Sequence, residues 1–265
     1  MKVNYERLIL GNDAPLTDKV TLHIPTMREL IQDDEKESEM NLFTRAFVTG
    51  VREQFSGFPE TVDDIEAKYP TMWDLAWDET MNVQVGEAMF GKDMTLLSVI
   101  VNGFAWWTQS EITDYKPLSN QKVVNEPLEW VIDKEEFVKF SEYIKMITLH
   151  EPNEDLIAPP DLKGKPHKQR AWKQLYLGRI RKMKKGSSST IADKMLLMQA
   201  LAPSFIPFNE LADMTYYQFM NLLRAYQQRK AYDQEFDIYT SEKFDTSNMK
   251  LTDLSQTVGV VRLNN

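Results

Sequence analysis

The chain opens on two short apolar runs, residues 5–10 and 20–24, separated by a turn-rich stretch from Gly11 to Asp18. The second run alternates Val20, Leu22 and Ile24 with Thr21 and His23, the two-residue period of a half-buried strand, so the pair predicts a β-hairpin. The period then changes. Thr26 with Glu29 three residues on has capping-box spacing and predicts a helix start. Phe43, Phe47 and Val51 recur every four residues, one face of a helix, until Gly57 and Pro59 interrupt them. A further helix is expected over residues 61–68. Residues 94–108 are the most apolar stretch and read as a helix running into a strand, with Asn102-Gly103 as the turn. After a polar connection, residues 128–132 predict a strand. Asp133 then caps a helix over 134–149, where Phe137, Phe140, Ile144 and Ile147 form a stripe.

Between residues 151 and 166, Pro152, Pro159, Pro160, Gly164 and Pro166 exclude a helix or a central strand. Beyond them, Trp172, Tyr176, Ile180 and Met183 recur at spacings of three and four, predicting a helix that ends at Gly186-Ser187-Ser188-Ser189. Thr190 opens a helix to Leu201, and Pro203 and Pro207 bound a connector. Thr215 caps a helix to about Tyr232, with Phe219, Leu222, Leu223 and Tyr226 facing inward. The tail from Thr240 is polar and closes on the apolar run 258–263, either an added strand or a free end. The pattern predicts an α+β protein, predominantly helical with an N-terminal β-hairpin and a few short central strands. It divides into an α+β region (1–150), a proline-rich loop with a basic helix (151–188) and a helical region (189–265).

Composition narrows the class. With 265 residues, 42% of them hydrophobic, the chain has enough apolar material for a substantial core. It has no cysteine, which removes disulfides, thiolate metal sites and cysteine nucleophiles and points to the cytoplasm. No run reaches the roughly 18 to 20 apolar residues of a membrane span. The net charge of −9 is uneven, because ten Lys/Arg and no Asp/Glu fall between Lys163 and Lys185. That leaves 21 basic against 40 acidic residues elsewhere, a charge of −19. Lys168, Arg170, Lys173, Arg179, Arg181, Lys182, Lys184 and Lys185 form the candidate basic patch. Phosphates would meet such cations, but Trp172 and Tyr176 lie on the apolar stripe and the acidic remainder repels a polyanion. An acidic helix, the chain's own or a partner's, is the better fit.

The motifs for catalysis are incomplete. Gly86-Glu87-Ala88-Met89-Phe90-Gly91-Lys92-Asp93 differs from a phosphate loop at its last residue, where Asp93 replaces the hydroxyl that would hold magnesium, and Glu87 would put a negative charge inside the cradle. His23, His150 and His167 are scattered and sit near no nucleophile motif. Asp74 and Asp78, one helical turn apart, have the spacing to share a cation, but also that of the wet side of an amphipathic helix. The expectation is a non-enzymatic protein with no cofactor and no metal.

Three segments bear a family likeness. Leu8-Ile9-Leu10-Gly11 with Val20-Thr21-Leu22-His23-Ile24-Pro25-Thr26, then Trp130-Val131-Ile132-Asp133-Lys134-Glu135-Glu136-Phe137, and finally Met214-Thr215-Tyr216-Tyr217-Gln218-Phe219 continuing to Ala231-Tyr232-Asp233, resemble the tail assembly chaperones of long-tailed bacteriophages and related proteins of their tail gene clusters. The resemblance touches about a quarter of the chain and brings no catalytic residues. It implies a protein of the infected host's cytoplasm, alone or as a homo-oligomer, that keeps the tape-measure protein soluble and helps recruit tail-tube proteins. A chaperone for a helical client needs apolar grooves rimmed by charge. Met195, Leu196, Met198, Met214, Phe219 and Met220 are the candidate groove residues, although each also suits a core position. The alternatives are a structural tail or connector protein of the virion, and a nucleic-acid-binding protein using the basic helix.

Overall fold

A computed structural model describes residues 3–33, 35–184 and 189–263. Helix α1 (Tyr5–Ile9) starts where the Asn4 side chain accepts the Arg7 amide. The strand expected over 5–10 is therefore a helix. Tyr5, Leu8 and Ile9 satisfy the helical spacing as well as that of an apolar run, and within α1 only Leu8 is buried. The hairpin begins later, with β1 (Ala14–Pro15) antiparallel to β2 (Thr21–Leu22) and Ala14 opposite Leu22. Thr17 shapes its turn by accepting the amides of Lys19 and Val20.

Helix α2 (Met27–Gln32) has the expected capping box, with Thr26 and Glu29 each accepting the other's amide. The stripe Phe43, Phe47, Val51 is split between α3 (Lys36–Val48) and α4 (Val51–Gln54), because Thr49 and Gly50 are extended. Then come α5 (Val62–Lys68), α6 (Met72–Ala76) and α7 (Glu79–Phe90). Asp74 closes a capping box with Thr71, and Asp78 caps α7, so both carboxylates hold helix starts. α8 (Leu96–Thr108) is one continuous helix, not a helix turning into a strand. Asn102 donates to the Ser98 carbonyl one turn back at 2.7 Å. Gly103 faces the Phe47 ring, where a Cβ would lie only 2.5 Å from Cε2.

The strands β3 (Tyr115–Leu118), β4 (Lys122–Asn125) and β5 (Trp130–Ile132) form an antiparallel sheet in sequence order. The first two occupy the connection expected to be irregular. Only Tyr115 of β3 is buried, so that strand carries no apolar pattern. Asp133 caps α9 (Lys134–Thr148), as its position predicts. The remaining helices are α10 (Pro166–Met183), α11 (Ile191–Leu201), α12 (Phe208–Asp213), α13 (Tyr216–Tyr239) and the single turn α14 (Leu254–Thr257). The mostly helical α+β character with small antiparallel sheets matches the sequence pattern, while α12 left no periodic signal of its own.

The core centres on Phe104 of α8. Its ring lies 5.3 Å from Phe47, 5.3 Å from Trp130 and 4.8 Å from Phe140, joining α3, β5 and α9. Buried side chains from Val3 to Leu223 share this core, and Val260, Val261 and Leu263 pack against it. Ala158, Leu162 and Trp172 bury themselves with Val62 in a small second cluster. The two ends of the core are stitched together where the Tyr216 amide donates to the Pro25 carbonyl and the Met27 amide to the Met214 carbonyl, each at 2.8 Å. Thr26 and Thr215, both capping residues, pair there as an isolated antiparallel bridge. No helix among the described residues is long and apolar enough to cross a membrane.

Gly86 gives the first testable consequence. In most helices Gly→Ala stabilises by about 1 kcal/mol, but a Cβ at Gly86 would press on the backbone of Met94 and stand 2.6 Å from the Leu96 nitrogen. Backbone cannot swing aside as a side chain can, and overpacking costs about 1–3 kcal/mol. Gly86→Ala is therefore expected to destabilise by up to about 2 kcal/mol net in urea unfolding. A gain in stability would show that α7 and residues 94–96 separate freely.

Candidate functional site

Several of the residues that chemistry would nominate are occupied in holding the fold. The would-be phosphate loop is the end of α7: Gly86 is helical, and Gly91 terminates the helix at φ +104°. His23 lies between two carboxylates, Nδ1 3.3 Å from Asp13 and Nε2 3.4 Å from Glu29, while its amide donates to the Trp107 carbonyl at 2.7 Å. The hydrogen bond to Asp13 raises the His23 pKa against the opposing effect of burial, and the charge of Glu29 adds to the rise. Burial alone would raise both carboxylates, but the bonds from His23 and the Ile24 amide hold Asp13 below its ordinary range, and those from Thr26 and His23 do the same for Glu29.

The candidate groove does not assemble as a surface. Met195, Met198 and Phe219 are buried and Met214 and Met220 half-buried, because α11 and α13 turn their Met and Phe faces toward each other. Leu196 alone of the six is open to water, at 61% exposure. Its neighbours in exposure are Leu197, Phe208 and Phe205, the last at 72%, and the Phe205 and Phe208 rings meet edge to face at 6.3 Å. The exposed apolar side chains thus fall on α11, at Leu196 and Leu197, and on the connector and the first residue of α12, at Phe205 and Phe208, with Gln199 of α11 donating to the Ile206 carbonyl of the connector.

The basic residues lie along α10. Trp172 is buried and its Nε1 donates to the Ser56 carbonyl at 2.7 Å, with Arg179 stacked 5.7 Å over the ring. Arg179 pairs with Asp155, Lys173 with Glu60 and Lys163 with Asp64, so part of the charge meets the chain's own acids. Lys168, Arg170, Arg181, Lys182 and Lys184 are exposed and have no ion pair among the described residues. Helical geometry puts Arg170, Arg181 and Lys184 on the side away from Trp172. Lys185 lies outside the described residues.

A concavity of about 1130 Å³ runs between α4, the end of α9, the loop after it and the C-terminal segment. Val51 and Met146 floor it, both buried. Charges of both signs rim it, among them the pairs Lys145–Glu142 at 2.8 Å and Arg224–Glu151 at 3.6 Å. Arg52 on its wall bonds Asp63 and Glu66 and donates to the carbonyls of Ala158 and Pro159, anchoring the proline-rich loop. His150 also lines the cleft; burial depresses its pKa, and its Nε2 is buried without a partner among the described residues.

The cleft's far wall is the C-terminal segment, where α14 gives way after Thr257 to a stretch, 258–263, that is neither strand nor free end but is clamped by side chains. Asn221, buried on α13, accepts the Val261 amide at 2.8 Å and donates to the Tyr217 carbonyl at 2.8 Å. The Tyr217 hydroxyl donates to the Val261 carbonyl at 2.5 Å, and burial beside Tyr5 pushes its pKa up to about 12. The Leu263 amide donates to the Tyr5 hydroxyl at 3.2 Å. Sequence reasoning missed these clamp residues, and only the apolar run at 258–263 hinted that the tail packs.

No family model matches this chain, and neither a curated protein sequence nor a solved structure matches it.

Two expectations follow from this geometry. Because the folded-state pKa of His23 is raised, its stabilising contribution is complete below the ordinary histidine value of 6.5 and fades as pH rises through the higher folded value. Asp13 and Glu29, both depressed, contribute above the ordinary carboxylate range and lose that contribution as pH falls. His23→Gln is therefore expected to lower stability more at about pH 5.5 than at about pH 8, and equal losses in urea unfolding would show that the ring acts by packing alone. Asn221→Ala leaves buried groups unpaired, at a cost of about 1–3 kcal/mol. It should speed amide exchange at 260–263 and proteolysis within 240–253, and unchanged exchange would rule out the clamp.

Proposed function

We propose that this chain is a non-enzymatic binding protein, a tail assembly chaperone of long-tailed bacteriophages. It holds the tape-measure protein in solution in the host cytoplasm and helps bring tail-tube proteins to it. The observation that carries the reading is the set of large apolar side chains standing in water on α11, Leu196 and Leu197, and on the connector and the start of α12, Phe205 and Phe208. Large apolar side chains grouped at a surface are a standing gain for whatever covers them, about 25 cal/mol for each Å² removed from water. An amphipathic client helix laid on α11 would take up that gain. The sequence resemblance supplies the identity of the client; the apolar face supports the binding mode.

A second reading rests on α10. The outward Arg170, Arg181 and Lys184 lie a helix diameter, about 10–12 Å, from the face that packs on the acidic body. That exceeds the Debye length of about 8 Å at physiological salt, so the body's charge weakens a polyanion's attraction to this face less than the net charge implies.

Tagged protein expressed with the neighbouring tail genes should capture a long tape-measure-like protein. Leu196→Glu with Phe205→Glu, both at exposed positions that cost about 0.5 kcal/mol or less in stability, should reduce that capture roughly tenfold or more. Capture that survives both substitutions would move the binding surface elsewhere on the molecule. Recovery of nucleic acid alone, lost on reversing Arg170 and Arg181, would favour the second reading, and stoichiometric copies in purified particles would make the protein a structural component.

A further inference from the structure

Two helix faces of opposite charge are left without counterparts inside the chain. On α10, Arg170, Leu177, Arg181 and Lys184 follow at spacings of seven, four and three, which puts them on one face, away from the buried Trp172. The three cations have no ion pair among the described residues, and Leu177 stands exposed between them. On α13, no residue after Leu223 is buried. Its end and the residues just beyond, 233–242, hold Asp233, Glu235, Asp237 and Glu242 and no Lys or Arg. None of these four carboxylates has an ion pair among the described residues. Asp237 lies in the last turn, where the final carbonyls of a helix already present negative charge, and no basic residue there offsets it. Phe236, Ile238 and Tyr239 are exposed beside the carboxylates.

We infer that these two faces meet between two copies of this chain, α10 of each lying along the end of α13 of the other. Their placement suits a two-fold pair. Both faces adjoin residues 151–155: Arg179 of α10 pairs with Asp155 at 3.0 Å, and Arg224 of α13, nine residues before Asp233, pairs with Glu151 at 3.6 Å. Two complementary patches side by side on one molecule are both met when a second copy is turned half a revolution against it, and the pair then closes without further growth. The chemistry favours such a helix over a nucleic acid. α10 offers no exposed aromatic ring to a base, since Trp172 is buried and Tyr176 half-buried. Leu175 and Leu177, exposed among the cations, gain nothing from phosphate but lose contact with water against Phe236, Ile238 and Tyr239. α10 already takes carboxylates of this chain on its other sides, through Lys173 with Glu60 and Arg179 with Asp155. Each copy has a net charge of −9, but repulsion between the two bodies is screened beyond about 8 Å, whereas the opposite charges of the faces act at contact. The inference is separate from the client-binding reading, which rests on α11 and α12.

Sedimentation equilibrium of the full-length protein should show the 30.9 kDa chain giving way to a species of twice that mass as concentration rises to about 100 μM. Arg170→Glu with Arg181→Glu, and separately Asp233→Lys with Asp237→Lys, should each weaken the dimer roughly tenfold or more. A mixture of the two variants should dimerise again. In the mixed pair one contact has both charges reversed and the other is wild type on both faces. Carbodiimide coupling of wild-type protein, mixed from heavy-isotope-labelled and unlabelled copies, should join Lys182 or Lys184 to a carboxylate of 233–242 across the two labels. That cross-link needs no variant and decides the matter if either variant folds poorly. A chain that stays monomeric, dimers that survive both reversals, well-folded variants that do not rescue each other, or cross-links confined to one copy overturn the inference. Duplex DNA bound by the monomer and released by Arg170→Glu with Arg181→Glu also overturns it, and gives the basic face to nucleic acid.

Discussion

The fold depends on how closely α8 approaches α3. Phe47 rests on the bare backbone of Gly103, and one residue further Phe104 meets Phe47, Trp130 and Phe140 at ring distances of 4.8–5.3 Å. Each such aromatic pair adds about 0.5–1.5 kcal/mol beyond the burial of its area. A side chain at 103 would hold the helices apart and loosen every pair at once. The helices, the sheet and the hairpin meet at α8 for this reason: the hairpin hangs from its last turn by the bond from the His23 amide to Trp107, and the sheet presents Tyr115 and Trp130 to Phe104.

Charge organises what the aromatic core does not reach. Loop 151–165 buries only Ala158 and Leu162, in the small second cluster, and is otherwise fastened by polar contacts: the guanidinium of Arg52, the amides of Leu162 and Lys163 on Asp63, and the Ala158 amide on Ser56. The Asp63 carboxyl stays ionised despite burial because Arg52 and those two amides surround it. A guanidinium suits this place, since its five donors satisfy two carboxylates and two carbonyls together. The basic helix that follows is therefore carried beside the main core, on this ionic mount and on the small apolar cluster that Trp172 shares with Val62, Ala158 and Leu162.

The parts of this arrangement legible in the sequence are those set within one or two helical turns. Thr26 with Glu29, Asp133, Thr190 and Thr215 mark helix starts because a capping bond joins residues two or three apart. The stripe of α9 is legible because one face of that helix is wholly buried. Where the deciding contact is distant, the pattern misleads. Asn102-Gly103 resembles a hairpin turn until Phe47, 56 positions earlier, is seen to need that glycine. The candidate groove failed for the same reason: Met198 and Phe219 look alike in sequence whether they face a client or each other's helix, and only packing distinguishes them from Leu196. The clamp on the tail joins Asn221 to Val261 across 40 residues with no shared period, so nothing local announces it.

The bridge between Thr26 and Thr215 has a consequence for synthesis. Its halves are about 190 residues apart in the chain, and at about 5–20 residues per second the ribosome needs roughly 10–40 s to make the second after the first. During that interval the hairpin and α2 have their local bonds but not the strand of backbone that fixes them, and the apolar faces destined for α12 and α13 stay uncovered. The nascent protein thus passes through a period in which it is itself in need of shelter. It reaches its final form only when the late helices arrive to close the joint.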